Sequence, residues 1–63
     1  MIRKRPSPAL AADVGALIQL EGLQVAASLL GVAAACADKV ANGKKASRGV
    51  LRAIEKRLAE LAP

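Results

Sequence analysis

The stretch Leu23–Asn42, LQVAASLLGVAAACADKVAN, decides how this chain is read. Val25, Leu29, Val32, Cys36 and Val40 recur at helical spacing and form one stripe, while Leu23, Ala26, Leu30, Ala33, Ala37 and Ala41 fill the adjoining faces. Only Gln24, Ser28, Lys39 and Asn42 draw a polar line. The pattern predicts one alanine-rich helix over about residues 23–42, with Gly31 inside it as a point where another helix can approach closely. A helix that is apolar round most of its circumference must be covered on more than one side. The stripe Val25, Leu29, Val32, Cys36 and Val40 is therefore the expected self-association surface, pairing two copies in a homodimeric helical bundle.

Upstream, residues 1–7 read as a basic N-terminal tail carrying Arg3, Lys4 and Arg5. Ser7 can cap a helix and Pro8 fits its first position, and Leu10, Val14, Leu17 and Ile18 then share one face, so a first helix is expected over about 8–21. Gly22 could end that helix, yet no loop-forming residue follows it, so a kink in a nearly continuous rod and a break are equally expected there. Downstream, Asn42-Gly43 is a strong stop, and Lys39, Lys44 and Lys45 complement the negative end of the helix dipole. Ser47 can cap a third helix over about 48–61, whose Leu51, Ile54, Leu58 and Leu61 form an apolar seam. Its other side is charged, with Lys56 and Glu60 one turn apart. The expected architecture is all-α: a short helical hairpin of about three helices, the third folding back on the second across residues 43–47, in a single helical domain spanning 8–63.

Size and composition bound the chemistry. A 63-residue domain buries only about 60% of its unfolded surface, which leaves little stability over chain entropy. Of the 34 hydrophobic residues 15 are Ala and 17 are Leu, Ile or Val, with no Phe, Tyr or Trp, so tight helix packing suits the chain better than a thick interior. Cys36 is the only cysteine and there is no His, which removes disulfide staples and makes a zinc site improbable on composition. Cys36 itself reads as a small buried hydrophobe. With no His and five carboxylates on exposed helix faces, the chain is expected to be non-enzymatic and to use no cofactor. The uncharged run Gly22–Ala37 has 16 residues against about 20 for a membrane span, so a cytoplasmic location is expected.

Charge is concentrated at the ends. Residues 1–5 carry +3, residues 6–38 carry −3 (Asp13, Glu21, Asp38) and residues 39–63 carry +5. Arg3, Lys4 and Arg5, read as a flexible arm, and Lys44, Lys45, Arg48 and Arg52, read as a patch, are the candidate contacts for a protein partner or for phosphates. The absence of aromatics removes the usual platforms for stacking single-stranded bases.

The segment Gln24–Val32, with Ala27 and Gly31 four apart and Val40 at a later core position, resembles the first helix and turn of a bacterial helix-turn-helix. The resemblance covers about a third of the chain and implies a small basic DNA-binding regulator. It departs from that pattern at Ala33-Ala34-Ala35-Cys36-Ala37, where a polar cap and side chains that reach base edges are expected. Alanine offers only methyl contacts. The expectation preferred on sequence is accordingly a homodimeric regulator, adaptor or inhibitor that binds another protein, with DNA binding as the alternative.

Overall fold

The computed structural model describes residues 3–61. Met1 and Ile2 of the expected tail, and Ala62 and Pro63 of the expected domain, lie outside the described residues. The first helix, α1 (Pro8–Glu21), begins as its sequence signals require. Ser7 is extended, its Oγ accepts the Leu10 N–H at 3.2 Å, and Pro8 sits in the first turn, where a missing N–H has no helical partner to lose. Gly22 then adopts φ 87° and ψ 156°, a region that residues with a Cβ enter only under strain. Of the two expectations at Gly22, the break is the one found, and α1 packs against both helices that follow it.

Residues 23–42 bring the larger correction. They form two helices, α2 (Leu23–Leu30) and α3 (Ala34–Ala41), and the chain turns through 98° between them. Gly31 is left-handed, at φ 71° and ψ 28°. Its N–H donates to the Ser28 carbonyl at 3.2 Å, and the Val32 N–H reaches the Ala27 carbonyl at 3.1 Å. This pair of bonds closes the last turn of α2 in place of the i→i−4 bonds that would carry the helix onward. The energetic reason lies in packing. A straight helix would leave apolar faces with nothing in the same chain to cover them, whereas folding at Gly31 lets the two halves cover each other. Ala26, Ala27, Leu30, Ala37 and Val40 are all buried.

After α3 the chain stops at Asn42-Gly43, as predicted, with the Lys44 N–H on the Lys39 carbonyl at 2.9 Å. A short strand β2 (Ala46–Ser47) pairs antiparallel with β1 (Arg3–Lys4), Arg3 opposite Ser47 and Lys4 opposite Ala46. Ser47 Oγ accepts the Val50 N–H at 3.3 Å and so caps α4 (Arg48–Leu61). α1 packs on α2 and α3, and α4 packs on α2. Among the described residues the hairpin of about three helices is thus replaced by four helices round one core, built from Leu10, Val14, Leu30, Val40, Leu51 and Ile54 with Ala27, Ala37 and Ala46 between them. Leu30 and Ile54 are wholly buried, and each contributes about 1.5–3 kcal/mol. Among the described residues no single helix is long and apolar enough to cross a membrane.

Candidate nucleic-acid interface

Two short helices at a steep angle, joined by Gly31-Val32-Ala33, have the geometry of a helix-turn-helix. Val40 is fully buried in the α2–α3 corner, where the resemblance at Gln24–Val32 requires a core residue. The alanines that seemed to end that resemblance are compatible with the turn. Ala33 is extended, at φ −67° and ψ 150°, and precedes α3 without any side-chain cap. The Ala37 N–H bonds the Ala33 carbonyl at 3.0 Å, so backbone and burial alone start the helix.

The outer side of this corner is lightly decorated. Ala33, Ala35, Asp38, Lys39 and Asn42 are exposed along and beside α3. Asn42 Nδ2 donates to the Asp38 carbonyl at 2.8 Å and to Asp38 Oδ1 at 3.2 Å, which ties up part of the one carboxylate on this face. Lys39 is left as its cation. Such a face carries mainly small side chains and has few groups that read base edges.

Cations gather beside it. Arg3, Lys4, Arg5, Lys44, Lys45, Arg48 and Arg52 are all exposed. The β1–β2 pairing brings the start of the chain against residues 46–47, so Arg3 of the arm comes beside Lys45 of the patch, while Lys4 and Arg5 line a separate cleft with Glu55. The arm expected to be flexible is instead held by backbone pairing at Arg3 and Lys4. Arg3, Lys39 and Lys45 line a cleft of about 170 Å³ together with Cys36, Ala46, Ser47 and Val50.

Sequence reasoning missed two members of this surface. Lys39 was accounted for by the helix dipole alone, and only the folded position of the arm shows it beside Arg3 and Lys45. Arg57 lies on the charged side of α4, yet its guanidinium lies over the turn, with Nε 3.5 Å from where a Cβ on Gly31 would stand. It sits at the C-terminal end of α2, where a cation is favoured. The 98° turn itself had one signal in the sequence, the Ala27-to-Gly31 spacing.

The five residues expected to form one self-association stripe are dispersed by the turn. Val25 (49% exposed) and Leu29 (36%) face outward from α2, Val32 and Cys36 are half-buried, and Val40 is enclosed in the core of its own chain. Among the described residues, no three His, Cys, Asp or Glu side chains come together as a metal site. No family model matches the chain, and neither the curated proteins nor the solved structures give a match.

Proposed function

We propose that this chain binds double-stranded DNA, with α3 lying in the major groove and the basic rim on the flanking phosphates. The observation that carries the reading is the 98° corner closed by left-handed Gly31, which leaves Ala35, Asp38 and Lys39 exposed on α3, with Arg3 and Lys45 beside Lys39. Phosphate contacts supply most of the affinity in this reading, because the α3 face is mainly alanine. Direct readout is confined to Lys39, Asp38, Asn42 and methyl contacts from Ala33 and Ala35.

The test is duplex binding at low salt, followed by fluorescence anisotropy, for the wild type and Ala35→Glu. Ala35 is exposed on a helix, so glutamate leaves stability within about 0.5 kcal/mol and helical circular dichroism unchanged. The expected result is wild-type binding that the variant loses by at least about tenfold, one misplaced charge against the phosphates. Wild-type failure to bind any duplex, or equal binding by the variant, overturns the reading.

A second reading, a homodimeric regulator that docks another protein, is supported by Val25 and Leu29, two exposed apolar side chains one turn apart on α2. Sedimentation at micromolar concentration tests it. A dimer that Val25→Lys dissociates supports this reading, and a monomer at all concentrations removes its dimeric form.

A further inference from the structure

The geometry points to the cleft between α3 and the β1–β2 pair as a phosphate-binding subsite, in which Arg3, Lys39, Lys45 and the Ser47 hydroxyl clamp one phosphodiester of the DNA strand that runs beside α3. This inference rests on the DNA-binding reading and assigns it a specific anchor. Three cations reach the cleft from three different elements: Arg3 from β1, Lys39 from α3 and Lys45 from the loop before β2. Among the described residues no Asp or Glu lines it. Like charges repel one another across so small a space, and an anion between them removes that cost.

The remaining lining fits the same ligand. Ser47 Oγ accepts the Val50 N–H, which leaves its own O–H free to donate into the cleft. Ser47 also stands at the N-terminus of the 14-residue α4, the end at which a helix favours negative charge. The volume, about 170 Å³, is below the roughly 300–1,000 Å³ of pockets that enclose a drug-sized ligand. It has room for one oxyanion group.

The position selects the duplex backbone as the source of that phosphate. Cys36 and Lys39, which form the α3 wall, are three apart on the helix that the DNA reading places in the groove. A phosphate held there belongs to the strand bordering that groove. Lys4 and Arg5 line a separate cleft with Glu55, so the anchor is confined to Arg3, Lys39, Lys45 and Ser47. The two-residue β ladder fixes the Arg3 backbone at the cleft before DNA arrives, so backbone ordering entropy there is not lost on binding.

The experiment is a salt series of duplex binding for the wild type, Arg3→Ala, Lys45→Ala, the double variant, and Lys56→Ala on α4 as a control outside the cleft. Arg3→Ala and Lys45→Ala are each expected to weaken binding about tenfold at low salt and to flatten the slope of log affinity against log salt by about 0.9. Because both cations serve one phosphate, the double variant should lose less than the product of the two single losses. Lys56→Ala should keep the wild-type slope. Arg3 and Lys45 are exposed, and unchanged circular dichroism verifies that the variants fold.

If the wild type binds duplex while Arg3→Ala and Lys45→Ala keep its affinity and slope, the cleft assignment falls and the DNA reading stands. Absence of any duplex binding overturns both. Inorganic phosphate and vesicles of phosphatidylserine with phosphatidylcholine complete the design. Arg3-dependent binding to either, without duplex binding, overturns the assignment of the anion to a DNA strand.

Discussion

The α2–α3 corner and the basic rim lie side by side and are built on opposite terms. The corner is nearly uncharged and closely packed, with Ala26, Ala27, Leu30, Ala37 and Val40 buried and its direction set by one left-handed glycine. The rim is exposed and cationic, and a ladder of two residue pairs holds it in place. In the corner, side chains determine shape and supply little to a ligand. In the rim they supply charge and hold little of the fold together. The difference separates stability from binding: substitutions in the corner act on the fold, and substitutions in the rim act on the phosphate contacts.

That separation can be broken or sharpened at chosen positions. Leu30→Ala, at a wholly buried site, should cost about 2–5 kcal/mol and abolish the cooperative thermal transition of so small a domain. Ala37→Leu, a small-to-large change at the helix crossing, should cost about 1–3 kcal/mol, read as a lowered urea midpoint with the slope preserved. Gly31→Ala forces an L-residue into the left-handed region and should cost about 1–2 kcal/mol; the new Cβ meets Arg57 only at ordinary contact distance, so the loss is conformational. Ala33→Ser supplies the missing cap of α3 and should raise stability by about 1 kcal/mol, seen as a higher melting temperature. Lys44→Ala and Arg48→Ala should change stability by less than about 0.5 kcal/mol. A rim variant that melts the domain, or a corner variant that folds normally and alters only the salt slope, would break the comparison.

The outer helices were legible because their signals are local. Ser7-Pro8 and Ser47 mark starts, Asn42-Gly43 marks a stop, and the faces Leu10, Val14 and Leu51, Ile54 are buried where their spacing places them. The centre was not legible to the same degree. Gly31 closes α2 with the same type of bonds that Gly43 uses to close α3, but apolar residues flank Gly31 on both sides and the helical stripe runs straight through it. A periodic pattern cannot distinguish a long helix covered by a partner from two short ones that cover each other. That choice is made by tertiary burial. The rim was half legible for a related reason: the cations are plain in the sequence, but the pairing of Arg3 with Ser47 joins positions 44 residues apart through backbone groups, which leave no side-chain signature.

Amide chemical shifts of the ¹⁵N-labelled chain, followed residue by residue during titration with duplex DNA, test the DNA-binding account most directly. The account predicts that shifts concentrate in residues 33–42, 3–5 and 44–48, while Leu20, Val25 and Leu29 on the exposed apolar positions stay in place. Shifts confined to Leu20, Val25 and Leu29, or no shifts at all at low salt, would contradict it.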